Sequence, residues 1–447
     1  MRITNRILEQ ALKLKDCPEF EANRISIDSR DVKGGELFIA IKDGNKFAKE
    51  AIKNGAVLAI IDSPEHTIPN KTIAVKDSVA ALRLIGKYIK DSVDLKAVVG
   101  ITGSIGKTTT RTWLSSILNH RFAVVSSIKN YNTMYGLPIC LSMLEKNTDF
   151  GIFEIGSNNP GEITELSNYL NPNIGVITNI YESHIGRFKN VADLAKEKIS
   201  IIDGVKQGGN LIYNGDSEFA PNIVRKAKTK KLNLVSVGFN ENCDFSIISR
   251  DESVKEDVKV RTPLGVFDYQ LNAKGRHFAY ISACVLAVLY SMKLNASDFL
   301  EYFKNLEPLS GRGKIGEYTF KGKTFRLIDD SYNASPTSLA ASLDVLNKIS
   351  AKSKIAVIGQ MKELGEKEEY YHESIAKKLH SMKIERVFFV GDKNLWEIMK
   401  VQCFEKLDDF VIEKILENVQ NDSVVLLKGS RSMELDKIIN YIRCSTI

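Results

Sequence analysis

A chain of 447 residues is too long for one compact core, and at roughly 150 residues per domain it divides into about three. Its net charge of +7, from 62 Lys and Arg against 55 Asp and Glu, is spread along the chain with no basic arm or stripe, which argues against nucleic acid and for small anionic substrates. The six cysteines (Cys17, Cys140, Cys243, Cys284, Cys403, Cys444) lack zinc or disulfide spacing, no run approaches the ~18 apolar residues of a membrane span, and Met1-Arg-Ile-Thr-Asn-Arg-Ile lacks the apolar core of a signal peptide, so a cytoplasmic location without a membrane span is expected.

In chain order, residues 1–94 carry short β-like runs at Arg24–Ile27, Glu36–Ile41 and Val57–Ile61, separated by Lys33-Gly-Gly35 and a helical stretch from Lys46 to Lys53. They predict a small N-terminal α/β domain. Over 95–307 the strand candidates Ala97–Ile101, Gly151–Ile155 and Ile174–Ile180 alternate with helices, which predicts a central, mostly parallel sheet covered on both faces. A β-rich insertion, Asp244–Gln270, precedes a helix over His277–Ser291. Over 308–447 the alternation restarts with strands at Thr324–Ile328, Lys354–Ile358, Arg386–Val390 and Val424–Leu427, predicting a C-terminal Rossmann-like domain. The fold class is therefore α/β, in three domains, with no repeat of fixed period.

Gly100-Ile-Thr-Gly103-Ser-Ile-Gly106-Lys107-Thr108-Thr109-Thr110 follows the apolar Ala97-Val98-Val99 and runs into the helical Arg111–Leu118. Strand, glycine turn and helix form a phosphate-binding setting: Gly103, Ser104 and Gly106 let backbone N–H groups approach an anion, Lys107 adds a charge, and the Thr108 hydroxyl suits Mg²⁺. The first glycine stands at 100 and not at 101, so the loop is a variant of the common P-loop spacing. A chance glycine turn would not be bracketed by both a strand and a helix.

Polar residues recur where strands end, the edge at which open α/β sheets bind ligands. Glu154 interrupts an apolar strand, and it is either a Mg²⁺ ligand or a glutamate at a solvated end. His184, after Thr178-Asn-Ile180, is a metal ligand or proton carrier, or an ordinary surface histidine. Lys196 and Lys198 point to different faces of the helical run Val191–Ile202, and spacing alone reads both as solvated charges. Asp329, Asp330 and Asn333 precede a helix begun by Pro336, whose first turn suits an anion, with a plain cap at Ser335 as the alternative. Lys428-Gly-Ser430-Arg431 sets basic side chains at a strand end and suits carboxylate or phosphate recognition, or is a basic turn.

Taken together these runs resemble the Mur ligase family from end to end. The resemblance is carried by Asp28-Ser29-Arg30, Gly34-Gly-Glu-Leu-Phe38, Thr102–Thr110, Asn130-Tyr-Asn132, Glu154-Ile-Gly156, Thr178-Asn-Ile180 with His184, Ala195-Lys-Glu-Lys198, Asn214-Gly-Asp216, Gly311-Arg312, Asp330–Pro336, Gly359–Gly365 and Lys428–Arg431. The resemblance implies a ligase, with ATP and Mg²⁺ as cofactors, that joins D-alanyl-D-alanine to UDP-N-acetylmuramoyl-tripeptide through an acyl phosphate. It implies an N-terminal domain holding the UDP moiety, with Ser29, Arg30 and Asn132 on the substrate. Gly103 to Thr109, Asp330 and Asn333 are implied to hold nucleotide, and Lys428, Ser430 and Arg431 to lie near the peptide. Thr108 and Glu154 are implied to hold one metal, and His184 with a carbamylated Lys198 a second; Lys107, His184 and Lys198 are the implied catalytic residues. The enzyme is expected to be a monomer. Phe278 and Ile281 stand where the family places asparagines facing adenine, so Phe278 is expected to stack on a purine and to relax base selectivity. Those changes also support a second reading, a nucleotide-binding or regulatory protein on the same fold.

Overall fold

The computed structural model describes residues 2–182, 185–251 and 256–445, whose strands form four sheets. Near the N-terminus Ile25–Ser26, Leu37–Ile39, Leu58–Ile61 and Thr72–Ala74 form a parallel sheet in that order, beside a two-stranded ribbon of Ile3–Thr4 and Glu21–Ala22. The helix Ser78–Asp91 begins where Asp77 accepts hydrogen bonds from the Val79 and Ala80 amides at 2.8 and 2.9 Å, satisfying two donors at the helix start. Its Ala81, Leu82, Ile85 and Ile89 are buried together with Leu137, Leu141, Ile155 and Leu166 beneath the second sheet. One apolar cluster thus joins the N-terminal sheet to one face of the central sheet.

The central sheet has nine strands in the order Gly265–Leu271, Glu256–Thr262, Phe245–Asp251, Asn233–Gly238, Asn210–Asn214, Ile174–Ile177, Ala97–Thr102, Phe150–Glu154, Val124–Ser126. All neighbours are parallel except the first three, so the β-rich insertion became an antiparallel edge. The opposite face is covered by Arg276–Ser291, every residue of which from Phe278 to Leu289 is buried. A helix apolar on all sides belongs inside a layer, and its sequence reads that way.

The third sheet runs Lys314–Phe320, Lys323–Asp329, Ser423–Lys428, Ser353–Gly359, Arg386–Val390, Gln402–Phe404, with an antiparallel hairpin at one edge and parallel strands elsewhere. Apolar clusters line both its faces. Two expected helices are shorter than their sequence runs. Lys46–Lys53 is helical only from Ala48, and Val191–Ile199 tightens into a 3₁₀ turn, Ser200–Gly204, where Gly204 passes the Ser167 backbone with no room for a Cβ.

Candidate active site

The phosphate-type loop leaves the carboxyl end of Ala97–Thr102 and closes into the helix Lys107–Leu118. Gly103 has φ +143°, and a Cβ there would lie 2.0 Å from Thr178 Oγ1, so only glycine lets the turn pass. The neighbouring strand end holds the turn from beneath: the Ser104 amide donates to Asn179 O at 3.0 Å, the Ile105 amide to Asn179 Oδ1 at 2.8 Å, and Thr178 Oγ1 to Ile105 O at 2.7 Å. The buried helix contributes as well, since Tyr280 Oη donates to Thr178 O at 2.6 Å. A loop fixed in this way loses little entropy when it binds an anion.

Lys107 Nζ folds back over the loop, donating to Gly103 O at 2.6 Å and Ser104 O at 3.3 Å. Protein packed around it pushes its ammonium down to about 8, against the pull of Glu154. Glu154, only 2% exposed, is no solvated strand end. Its Oε2 accepts from Thr108 Oγ1 at 3.2 Å, and Arg111 Nε lies 2.9 Å from its Oε1. That second contact is an ion pair without hydrogen-bond alignment, so neither Oε1 nor Arg111 Nε has a hydrogen-bond partner.

Lys198 corrects the reading from spacing. Lys196 is exposed, whereas Lys198 is 3% exposed and donates to Ser157 Oγ at 3.1 Å. Burial first, and the Lys107 charge second, lower its ammonium to about 7. The intervening Glu197 turns the other way and accepts from the Gly161 and Ile163 amides at 2.7 and 2.9 Å, capping the helix Glu162–Leu170. Three successive residues of one helix thus serve solvent, a helix cap and the site.

The third sheet supplies the opposite wall. Lys428 Nζ, at the end of its strand, lies 2.8 Å from Asp330 Oδ2 and donates to Asn333 O at 2.9 Å. These residues therefore form one group and not two separate subsites. Asp329 is a turn holder, accepting from the Gly311 amide at 2.7 Å and Ser331 Oγ at 2.6 Å. Ser335 caps the helix Pro336–Lys348 in a capping box with Ser338. Across the gap, Thr337 Oγ1 donates to Glu182 at 3.2 Å and the Gly186 amide donates to Glu363 O at 2.8 Å. Between the walls lies a cavity of about 1090 Å³, lined by Ser104 to Thr109, Asn132, Glu154, Ser157 and Lys198 on one side and by Asp330, Asn333, Lys362 and Lys428 on the other.

The structure does not bring every candidate there. Ser29 and Arg30 sit in the N-terminal unit away from the cavity lining, Ser29 buried and Arg30 paired with Asp28 at 2.6 Å. Ser430 Oγ accepts from the Lys362 amide at 2.8 Å and so shapes the loop after Gly359, while the exposed Arg431 pairs with Asp436 at 2.9 Å. His184 lies outside the described residues. Phe278 does reach the cavity lining, but it is 3% exposed and stacks on Trp113 with ring centroids 5.5 Å apart, so much of the ring is packed into the core. Among residues the sequence reading passed over, Arg111 faces Glu154 from one helical turn beyond Thr108, a spacing that could have signalled it. Ser157 and Tyr280 carry no such signal, because their partners are distant in sequence.

Comparison with known proteins gives a consistent picture. The chain matches the family descriptions "Mur ligase family, catalytic domain" over 21–91, "Mur ligase middle domain" over 101–289 and "Mur ligase, glutamate ligase domain" over 317–431. It is 30% identical to UDP-N-acetylmuramoyl-tripeptide--D-alanyl-D-alanine ligase of Rickettsia prowazekii, covering 98% of this chain and 99% of that one. Identity to the Bacillus subtilis protein of the same name is 29%, over 94% of each chain. Among solved structures it is similar to MurF from Acinetobacter baumannii, with a TM-score of 0.87 at 25% identity over 99% of both chains. It is also similar to MurF ligase from Thermotoga maritima in complex with ADP, with a TM-score of 0.81 at 25% identity over 94% and 97% of the two chains.

Proposed function

Since the chain belongs to the Mur ligase family, we propose that it joins D-alanyl-D-alanine to UDP-N-acetylmuramoyl-tripeptide at the expense of ATP. The observation that carries this reading is the convergence of Lys107, Thr108, Glu154 and Lys198 with Asp330 and Lys428 on one cavity. A carboxylate is a poor acyl donor. Transfer of the γ-phosphoryl to the tripeptide's terminal carboxylate makes an acyl phosphate, and the amine of D-alanyl-D-alanine then displaces phosphate to form the amide.

In this reading the ATP phosphates lie against the Ser104–Thr109 amides and the N-terminus of Lys107–Leu118, where the helix dipole and free N–H groups favour anions. Lys107 exchanges its carbonyl acceptors for phosphate oxygens and holds the transferring group. The donor set fits Mg²⁺: Glu154 Oε1 is buried without a hydrogen-bond donor, and Thr108 Oγ1 lies 3.2 Å from Oε2. Bound there, the cation supplies charge neutralisation for the phosphoryl oxygens. Lys198 is the lysine we assign to carbamylation. Its amine, held near 7, is partly neutral at physiological pH, and attack on CO₂ with loss of a proton replaces a buried cation by an anionic oxygen ligand. His184 completes the assigned second metal set.

We place domain boundaries at 1–94, 95–307 and 308–447, with the first domain on the UDP moiety, and read the enzyme as a cytoplasmic monomer. Among the described residues no helix is long and apolar enough to cross a membrane. A regulatory protein without turnover finds no support in the relatives, which are named as ligases. The test is phosphate release by purified protein with ATP, Mg²⁺, UDP-N-acetylmuramoyl-tripeptide and D-alanyl-D-alanine. Release that needs all four supports the reading, and release indifferent to either peptide substrate contradicts it.

A further inference from the structure

Arg111 approaches Glu154 from the protein side: Glu154 and Thr108 line the cavity, whereas Arg111 does not. Its Nε is 2.9 Å from Glu154 Oε1 with side-chain exposures of 11% and 2%, too enclosed for water to screen the pair. The helix Lys107–Leu118 places Thr108 and Arg111 three residues apart, so one helix face holds the hydroxyl on Oε2 and the guanidinium at Oε1. The Glu154 amide is fixed too, donating to Ser127 Oγ at 3.0 Å. The carboxylate is therefore held from behind, at the wall of the cavity that it lines.

We infer that Arg111 is a positioning residue for the metal ligand: it aims Glu154 into the cavity and supplies the countercharge that keeps this buried carboxylate folded in place whenever no divalent cation is bound. That a divalent cation binds here rests on the reading of Glu154 as a Mg²⁺ ligand, whereas the countercharge role of Arg111 does not. An unpaired buried carboxylate is costly, so a protein that must exist both with and without its cation needs a resident positive charge beside it. The misaligned contact serves this end. A close ion pair out of hydrogen-bond alignment neutralises Glu154 without engaging Oε1 in a directed hydrogen bond that a metal would have to break. The same charge weakens the attraction of the site for a cation, so Arg111 exchanges affinity for stability of the empty site.

The test uses thermal unfolding of the whole chain. In EDTA, without nucleotide, Arg111→Met should lower the Tm by several degrees and Arg111→Lys by much less. Adding Glu154→Gln to Arg111→Met should restore most of the loss, because the neutral amide needs no countercharge; an additive double variant would overturn the inference. With ADP, adding Mg²⁺ in place of EDTA should raise the Tm of Arg111→Met more than that of the natural sequence. An equal Mg²⁺ shift in both would show that Arg111 acts through packing alone. Were Mg²⁺ to shift neither protein while the coupling to Glu154 in EDTA persisted, the metal reading would fail and the countercharge role would stand.

Discussion

Lys198 is a buried cation and Lys107 a half-buried one, their ammonium groups lowered to about 7 and about 8 by the protein around them, and each has a measurable signature. Lys107 hydrogen-bonds to two loop carbonyls, so its truncation leaves packing intact. Lys107→Ala should lose ~10²-fold or more in kcat with little change in Tm, as expected for a group that stabilises transferring charge. Lys198 sits at about 7 against an ordinary 10.5, so between those values the unfolded chain binds more protons than the folded one. Its contribution to stability therefore rises with pH across that window and is lost as pH falls through the folded value. Chemical denaturation at neutral and at alkaline pH in CO₂-free buffer should show this rise, and Lys198→Met should flatten it. Bicarbonate should flatten it as well, because a carbamate has no ammonium left to titrate. Phe278 gives the opposite kind of expectation. With its ring against Trp113 inside the core, Phe278→Ala should cost about 3–5 kcal/mol of stability, as large core truncations do, whatever nucleotide is present.

At the scale of elements, contacts such as Thr337 with Glu182 and Gly186 with Glu363 hold the third sheet against the central one, and the ion pair of Lys428 with Asp330 holds the third sheet's own edge of the site together. Gly186 meets the loop around Glu363 and Gly365 so closely that a Cβ would lie 2.8 Å from the Gly365 amide nitrogen. Gly186→Ala should push this contact apart and reduce kcat while each sheet keeps its own stability, which circular dichroism and turnover measured together would reveal. Unchanged turnover would mean that this contact does not align the two walls. Lys428 and Asp330 tie the strand Ser423–Lys428 to the turn after Lys323–Asp329. Removing one member of so buried a pair leaves the other charge uncompensated, and Lys428→Ala should cost roughly 3–5 kcal/mol in chemical denaturation. The elements that sequence pattern found are those with unbroken apolar runs, such as Ala97–Thr102 and Ser423–Lys428. It missed the hairpin strand Lys314–Phe320, whose apolar run is broken by Gly316, Glu317 and Thr319 and of which only Phe320 is buried. The site divided along the same line. The phosphate loop is contiguous and legible, and Glu154 stood out as a carboxylate in an apolar strand. Which of two nearby lysines turns inward was not legible, since the answer depends on Glu197 reaching a helix start 34 residues away.

For the whole molecule, the shared apolar cluster makes the N-terminal sheet and the central sheet one packed body, whereas the third sheet meets them across a cavity. That arrangement suits a reaction in which two large substrates and a nucleotide must be enclosed together and water kept from a reactive acyl phosphate. The proposed reaction stands or falls on where the oxygen of the released phosphate originates. UDP-N-acetylmuramoyl-tripeptide carrying ¹⁸O in its terminal carboxylate, incubated with ATP, Mg²⁺ and D-alanyl-D-alanine, should transfer one labelled oxygen to phosphate for each amide formed. Phosphate free of the label, with its fourth oxygen drawn from water, would contradict carboxylate activation and with it the proposed reaction.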